Sequence, residues 1–282
     1  MYELKVKNHI DEILNLSTHK GYEVYKIEGL EPPAVNINKT KNATSDGDTV
    51  NSVSANSRNI VIYVAIKGDV EVNRINLYRY FPAKKTIELY FKNGTRNVHI
   101  EGLVELIECD IFTNKQVAQI SIICPQPYFK DVAELVSYFN EISALFTFPF
   151  SIAASGMEIS TITTNIRKAI INTGDVETGL IISLYAIGEV VNPVIYDVFN
   201  RTHIKLNITL KASDQVIINT NVGKKSITLI RDGSSINIMG YMQPDCKWLT
   251  LAVGDNVYTY DADSGVSNMQ LTFSTALLYG GV

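Results

Sequence analysis

Apolar and polar residues alternate in short runs along most of the chain, which is the pattern of half-buried β-strands. Asn93-Gly94 predicts a tight hairpin turn, because both residues tolerate a positive φ, and Glu101-Gly102 predicts the turn or bulge that follows it. The first half is therefore predicted to be a sheet domain with strands at Asn59 to Lys67, Thr86 to Phe91, Arg96 to Ile100, Leu103 to Asp110 and Gln116 to Cys124.

Two segments of the first half have helical spacing instead. The segment from Asp69 to Phe81 opens on a residue suited to an N-cap and is followed by Pro82; its apolar positions are Val72, Ile75, Leu77, Tyr78 and Phe81. The segment from Asp131 to Phe146 has a cleaner amphipathic pattern and predicts a second short helix.

The segment from Thr40 to Arg58 is polar and contains few large apolar residues. Its composition predicts a long loop or an extended arm. A loop of this length is uncommon in a compact domain unless it has a function. The alternative is a disordered loop with no role.

The second half has the same β character with little helix. Pro125 and Pro127 interrupt the first set of strands, and we expect the division between domains near here, with domains at 1–145 and 146–282. Short strands separated by Gly, Asn and Asp turns predict a sandwich or jelly roll. These strands are Glu158 to Thr164, Arg167 to Asn172, Gly179 to Ala186, Val194 to Val198, His203 to Leu210, Gln215 to Asn219, Ser226 to Ile230, Ser234 to Met239, Lys247 to Val253, Asn256 to Tyr260 and Met269 to Ser274.

The composition argues against a nucleic-acid-binding protein and against a membrane protein. The chain has 282 residues with 25 basic and 29 acidic side chains and a net charge of −4, so it lacks the basic surplus typical of proteins that hold nucleic acid tightly. No leader-like segment and no apolar run of about 20 residues is present, so we expect no membrane partner. Three cysteines without motif spacing are typical of reduced, structural thiols.

Catalytic motifs are missing from the sequence. It contains no GxGxxG, GxxxxGK[ST], HExxH, CxxC or GxSxG. Its four histidines, His9, His19, His99 and His203, lie far apart and are interpreted as ordinary surface or strand histidines; the alternative is a cluster in space, since metal ligands often come from distant segments. We therefore expect that the protein is not an enzyme and that it binds no metal ion and no cofactor. Trp248, the only tryptophan, is a candidate for stacking on a sugar ring, but flanking leucines favour packing in the core.

Several segments, taken in order, resemble one family over nearly the whole chain. In the first half they are Asp46-Gly47, Arg58-Asn-Ile-Val-Ile-Tyr-Val, Gly68-Asp69, Leu77-Tyr-Arg-Tyr-Phe81 and Pro125-Gln-Pro-Tyr-Phe-Lys-Asp131. In the second half they are Phe146-Thr-Phe-Pro-Phe150, Asn172-Thr-Gly-Asp175, Val191-Asn-Pro-Val-Ile195, Ile218-Asn-Thr220, Trp248-Leu-Thr-Leu, Gly254-Asp-Asn256 and Tyr279-Gly-Gly-Val282. In this order the segments resemble the distal tail proteins of long-tailed phages that infect Gram-positive bacteria.

The resemblance implies a mainly β fold: an N-terminal ring-forming β domain with one or two short helices, and a C-terminal galectin-like β-sandwich. It implies a structural, non-enzymatic virion protein, made in the bacterial cytoplasm, that assembles as a homohexameric hub in the tail tip. Its partners would be the tail tube protein, the tail-tip protein and a receptor-binding protein, with DNA passing through the lumen without specific binding.

For single residues, the resemblance and the composition together give two candidate sets. The arm residues Asp46, Gly47, Asp48 and Arg58 are expected at the ring interface, and Leu77, Tyr78 and Phe81 on the helix of the ring domain. Asn192-Pro193 lacks the His before it and the Arg after it that a galectin sugar site needs. The alternative function is a non-catalytic β-sandwich that binds a cell-surface saccharide.

Overall fold

The computed structural model describes residues 2–113, 115–144, 160–164 and 166–282. The chain is mainly β, which confirms the predicted fold class. It divides into two compact units: unit 1 contains Met1–Ala133 and Leu278–Val282, and unit 2 contains Glu134–Leu277. The Phe146-Thr-Phe-Pro-Phe150 segment and the division expected between 145 and 146 lie outside the described residues, and that division stays a prediction. No helix in the described residues is long and apolar enough to cross a bilayer.

Unit 1 is built on antiparallel strands and one helix. These elements are β1 (Glu3–Lys7), β2 (Ile13–Asn15), β3 (Tyr22–Glu28), β4 (Val35–Lys41), β5 (Asp48–Ala55), β6 (Arg58–Ile66), α1 (Val70–Tyr80), β7 (Thr86–Lys92), β8 (Asn97–Cys109), β9 (Val117–Cys124) and β10 (Phe129–Tyr138), whose last residues belong to unit 2. Neighbouring strands follow the order β2-β1-β7-β8-β9-β6-β3, and β4 and β5 pair with each other in a separate two-stranded sheet.

The long strand β8 connects two layers of unit 1. Its first half pairs with β7 and its second half, from Leu103 onward, with β9, and a bulge between Val104 and Leu106 lies near the start of the pairing with β9. A bulge bends its strand and increases the local twist, so one strand can serve both layers. Inward residues of both layers, among them Leu89 on β7 and Ile62 on β6, form one core.

Helix α1 confirms the helix predicted from Asp69 to Phe81. Asp69 is the N-cap, and its carboxylate accepts a hydrogen bond from the Val72 amide. Phe81 is the C-cap and is buried, as is Leu77 one turn earlier. Of the three residues expected on the helix of the ring domain, Leu77 and Phe81 are therefore buried and Tyr78 is exposed.

The helix predicted from Asp131 to Phe146 is wrong over its described residues. These residues belong to β10 and to the strand that follows it, and Lys130 and Asp131 pair with β8. The Asp131 carboxylate accepts hydrogen bonds from the Ala133 amide and the Tyr279 hydroxyl rather than capping a helix. The apolar residues of this segment recur about every 3.6 positions, as in a helix. The segment also contains β-branched and aromatic residues, which favour an extended backbone.

The structure has strands at two places where the sequence predicted a turn or a loop. Glu101-Gly102 is not a turn but part of β8, and a Cβ at Gly102 would lie 2.6 Å from the Ile122 side chain, so this glycine allows β8 and β9 to approach closely. The segment from Thr40 to Arg58 is not a loop: most of it belongs to β4, β5 and the start of β6. Alternation failed as a signal because neither face of β4 and β5 is buried.

Unit 2 is a sandwich of short strands, the last of which ends on two residues, Leu278 and Tyr279, that belong to unit 1. The strands are β11 (Asn140–Ala144), β12 (Ser160–Thr164), β13 (Arg167–Asn172), β14 (Thr178–Gly179), β15 (Ile181–Ala186), β16 (Val190–Val191), β17 (Val194–Asp197), β18 (Thr202–Lys205), β19 (Thr209–Leu210), β20 (Gln215–Asn219), β21 (Ser226–Arg231), β22 (Ser234–Asn237), β23 (Thr250–Leu251), β24 (Gly254–Asp261) and β25 (Met269–Tyr279), with short 3₁₀ helices at Met239–Tyr241 and Val266–Asn268. The strand predicted from Lys247 to Val253 is reduced to β23.

Two sheets enclose the core of unit 2. One contains β25-β15-β20-β21-β22 and the other β13-β24-β17-β18. Inward residues of both, such as Leu184 and Ile218 from the first and Tyr258 and Ile195 from the second, belong to the same buried cluster. This is the arrangement of a β-sandwich, in which residues alternate between the core and the solvent.

Candidate functional site

The strands β4 and β5 form a two-stranded antiparallel ribbon, residues 35–55, that has no buried face. Ile37 pairs with Val53, so their side chains project from the same face. A bulge after Asn38 leaves Asn51 unpaired and brings Val50 opposite Lys39, on that same face. We call Val35, Ile37, Val50 and Val53 the ribbon stripe; each is 51–59% exposed.

Polar contacts hold the far end of the ribbon. Gly47 has a φ of +94° in the turn, which favours glycine. The Asp48 carboxylate lies 2.6 Å from the Lys39 ammonium, and the Thr49 hydroxyl donates to the Asn42 side chain at 2.9 Å. Asp46, Gly47 and Asp48 therefore lie together at an exposed tip, where the structure can present them to another molecule.

A second set of exposed apolar residues follows one face of α1. Val72 and Ile75 are 59% and 57% exposed, and Tyr78 continues the row at 40%. Positions three apart lie on the same side of a helix, so these residues form what we call the helix stripe. Leu77 lies on the opposite side of the helix, in the core of unit 1, and Phe81 enters the same core from the C-cap, where the backbone is no longer helical.

Arg58 is not at the surface of the arm. It is the first residue of β6, takes an inward position and is only 4% exposed. Its guanidinium donates to four backbone carbonyls, at 2.5–2.7 Å, and lies 4.5 Å from the centre of the Phe129 ring. Burial lowers the pKa of Arg58 from its usual value. The sequence placed this arginine in an interface because it follows the polar segment, but the structure places it in the core.

The carbonyls around Arg58 come from distant parts of unit 1. They belong to Gly29, Glu31, Pro127 and Gly280. A guanidinium has five N–H donors in a fixed fork and no acceptor, so it can join several main-chain segments at one point. Arg58 is therefore a structural anchor of unit 1.

Trp248 lies beside the core of unit 2 and is partly buried. The Lys225 ammonium lies 5.5 Å from the centre of its ring, so a cation already occupies one approach to the indole. The Asn192 side chain donates to the Asp263 carboxylate at 2.8 Å. Both residues thus have partners within unit 2, and the structure favours the packing interpretation of Trp248 over sugar stacking.

One group of potential metal ligands occurs in the described part of the chain: His203, Asp245 and Cys246. The sequence analysis did not identify it, because His203 lies far from the other two along the chain and no motif spacing marks them.

Part of unit 2 matches a known protein family. Residues 173–276 match the C-terminal domain of the siphovirus-type tail component. No curated protein sequence matches the chain.

Solved structures are similar to nearly the whole chain. The SPP1 Dit protein, described as a paradigm of the hub adsorption apparatus in phages that infect Gram-positive bacteria, has a TM-score of 0.67 and 11% identity, over 97% of this chain and 98% of that one. A chain of the phage P2 baseplate in its activated conformation with Ca has a TM-score of 0.52 and 11% identity, over 97% of both chains. The predicted resemblance to phage distal tail proteins is therefore confirmed: residues 173–276 match that family in its C-terminal domain, and the chain has the fold of SPP1 Dit.

Proposed function

We propose that this protein is the distal tail hub of a phage or phage-derived tail, a structural protein of the virion. The observation that carries the proposal is the match of residues 173–276 to the tail-component family, together with a fold similar to a hub protein over nearly the whole chain. In this role the protein forms a hexameric ring, joins the tail tube protein to the tail-tip protein, and supports a receptor-binding protein. The role needs no catalytic group.

The composition agrees with a channel for DNA. A protein that neutralises phosphates with Lys and Arg binds DNA tightly and loses affinity with salt. This chain has more acidic than basic residues. We therefore expect DNA to pass through the ring without specific binding.

The ribbon is the element that we assign to the contact between neighbouring copies. An isolated two-stranded hairpin is at best marginally stable in water, and each ordered residue costs roughly 1–2 kcal/mol of backbone entropy. Covering the ribbon stripe with a neighbour would offset part of this cost, because its four side chains are 51–59% exposed and burial of apolar surface is stabilising. The occupant that we propose is a second copy of this chain.

The helix stripe provides a matching surface on that second copy. A ring is built from head-to-tail contacts, in which two different patches of the same chain meet. The ribbon stripe and the helix stripe are two such patches, both apolar and both on unit 1. We propose that the ribbon of one copy packs on α1 of the next.

The test compares two double variants on opposite faces of the ribbon. Ile37→Asp with Val53→Asp places two carboxylates in the ribbon stripe. Asn36→Asp with Ser54→Asp places the same two charges on cross-strand partners of the other face, and is the matched control. Analytical ultracentrifugation over a concentration series, with negative-stain imaging, measures ring formation. We expect the stripe variant to need at least about tenfold more protein to form rings, since burying an unpaired carboxylate is costly.

Two outcomes would count against the proposal. If the stripe variant and the control form rings equally, the ribbon is not the contact, although a hexamer by another surface is still compatible with the hub. If the unchanged protein stays monomeric with its tail tube and tail-tip partners present, the hub role itself is wrong. Ile75→Asp on α1 should reproduce the defect of the stripe variant.

A further inference from the structure

Three side chains of unit 2 form a compact group of nitrogen, oxygen and sulfur atoms beside β18. His203 lies on this strand, and Asp245 and Cys246 lie in the segment 243–247, which follows the 3₁₀ helix Met239–Tyr241. One ligand atom from each residue lies within 4.8 Å of the other two. The His203 Nε2 and the Asp245 carboxylate oxygen are 3.5 Å apart.

Backbone hydrogen bonds hold this segment against β18. The Lys247 amide donates to the His203 carbonyl at 3.0 Å, and the Gln243 amide donates to the Lys205 carbonyl at 3.1 Å. Between these two bonds, the Lys205 amide donates to the Cys246 sulfur at 3.1 Å. The sulfur thus accepts the hydrogen bond that a backbone carbonyl would accept in a regular strand pair. This bond to β18 fixes the position of the Cys246 side chain.

The chemistry of the group fits a zinc ion. Zn²⁺ accepts imidazole nitrogen, thiolate sulfur and carboxylate oxygen, at about 2.0–2.3 Å, usually in tetrahedral geometry. Neighbouring ligand atoms of such a tetrahedron lie roughly 3.3–3.8 Å apart. The His203–Asp245 distance falls in this range, and the sulfur needs a shift of about 1 Å or less to join them.

Charge and exposure agree with this assignment. A carboxylate and a thiolate together balance the charge of Zn²⁺. The Cys246 thiol, which donates to the Lys205 carbonyl at 3.7 Å, would release its proton to solvent on binding the ion, and the Lys205 amide would then donate to the thiolate. The Lys205 ammonium is 2.8 Å from the Asp263 carboxylate, so it is already paired with another acid. The Asp245 side chain is 69% exposed and free to reorient, and the open side of the group leaves room for a water as fourth ligand.

We propose that His203, Asp245 and Cys246 bind one Zn²⁺ ion, with water as the fourth ligand. The ion would fasten the segment 243–247 to the edge strand β18 and so stabilise this margin of the sandwich. The proposal is independent of the hub function, and it replaces the expectation, drawn from motif spacing alone, that the chain binds no metal.

The test uses the full chain after treatment with a chelator and desalting. Calorimetric titration with Zn²⁺ should show one ion per chain. Titration with Co²⁺ should give a tetrahedral spectrum with a thiolate-to-cobalt charge-transfer band, and this band should vanish in Cys246→Ser. His203→Ala should weaken Zn²⁺ binding by at least about tenfold, since loss of even an outer-shell partner costs about 10–100-fold. Cys109→Ser removes the other partly exposed cysteine and is the matched control.

A second measurement avoids variants that fail to fold. Zn²⁺ should slow alkylation of Cys246 in the unchanged protein, followed by mass spectrometry of its peptide, while Cys109 in the same digest reacts at an unchanged rate. The proposal is overturned if Zn²⁺ and Co²⁺ do not bind, or if the charge-transfer band survives in Cys246→Ser. It is also overturned if Zn²⁺ leaves the alkylation of Cys246 unaltered. The group would then be an ordinary ion pair beside a hydrogen-bonded thiol.

Discussion

Each unit contains an arginine that joins parts of its fold, but the two arginines are satisfied in different ways. In unit 1, Arg58 is buried and its guanidinium donates to four backbone carbonyls. In unit 2, Arg231 is partly exposed and forms a two-pronged pair with the buried Asp214 carboxylate, with Nε–Oδ1 and Nη2–Oδ2 distances of 2.9 and 2.5 Å. Arg58 is thus paired with the dipoles of backbone carbonyls, and Arg231 with the negative charge of a carboxylate.

The two arginines differ in which segments of the fold they join and in whether pH affects the stability that they provide. Arg58 connects segments that are far apart in the sequence, so its loss disturbs the closure of unit 1 as a whole. Asp214 directly precedes β20 and Arg231 ends β21, so their pair closes two neighbouring strands of one sheet. Backbone carbonyls do not titrate, whereas a carboxylate does. The anchor of unit 2 is therefore the one that acid should weaken.

Replacing Arg58 should give the largest effect. Arg58→Met keeps much of the apolar stem but leaves four carbonyls of unit 1 without their donor. We expect a loss of at least about 3 kcal/mol in the free energy of unfolding of unit 1, since each buried polar group left unpaired costs about 1–3 kcal/mol. Hydrogen exchange with mass spectrometry should show faster exchange in peptides of β3, β6 and β9, with little change in peptides of β15 and β20.

Arg58→Lys sharpens this prediction. Lysine keeps the charge but lacks the planar fork, so it should recover only a small part of the lost stability. If exchange rises equally in both units, or if Arg58→Lys behaves as the unchanged protein, the anchor role of the fork is wrong.

Replacing Asp214 should give a smaller effect, confined to unit 2. Asp214→Asn should cost roughly 2–3 kcal/mol, less than a fully buried ion pair because Arg231 is partly exposed. The bond from Arg231, with help from the Lys211 amide, holds the pKa of Asp214 below its usual value. The unfolded chain therefore takes up the proton first as pH falls, so the stabilisation is complete above about pH 5 and is lost as pH falls below about 4.

Urea unfolding followed by the fluorescence of Trp248 measures this effect, because the only tryptophan lies in unit 2. The difference between the unchanged protein and Asp214→Asn should shrink as pH falls from 6 to 3. A difference that stays constant over this range would contradict the assignment to the ionised carboxylate.

The smallest effect should come from His99 in unit 1. Burial lowers the pKa of His99, with a further contribution from the positive charge of Lys130. A histidine with a lowered pKa is protonated more readily in the unfolded chain, so unit 1 should lose stability as pH falls below about 6.5 and stop losing it below the folded pKa. His99→Phe keeps a ring next to Tyr90, which stacks on His99 with centroids 5.5 Å apart, and should flatten this dependence in exchange measurements on β8 peptides. An unchanged slope in the variant would assign the effect to another group.

The sequence predicted those elements whose pattern depends on a buried face. Strand β20 was predicted at its observed limits, and α1 was predicted together with its cap Asp69. The ribbon lacks a buried face, so its strands could not be distinguished from a loop. The start of β10 has helical spacing by coincidence, and its composition and its pairing with β8 favour a strand.

The placement of the candidate site residues likewise depended on long-range contacts that the sequence pattern does not contain. The position of Tyr78 at the surface and of Leu77 in the core depends on which side of α1 meets the sheet, and spacing alone did not distinguish them. Arg58 was placed in the arm because it ends the polar segment from Thr40 to Arg58, and its carbonyl partners come from segments that no local pattern connects. The His203 group needs the pairing of an irregular segment with β18, which also lies beyond local patterns.

The bond between Arg58 and Gly280 joins residues 222 positions apart, and this separation bears on how the chain reaches its native state. Closing a loop of that length in an unfolded chain costs about 5 kcal/mol of entropy by the logarithmic law. Prior folding of unit 2 removes most of this cost, because the Phe139 amide then donates to the Leu271 carbonyl and brings the two ends of unit 2 together. We expect the Val282 amide, which donates to the Leu30 carbonyl, to gain protection late in refolding, after the amides of β15 and β20. Pulse-labelled hydrogen exchange would show this order, and protection of Val282 before unit 2 would rule it out.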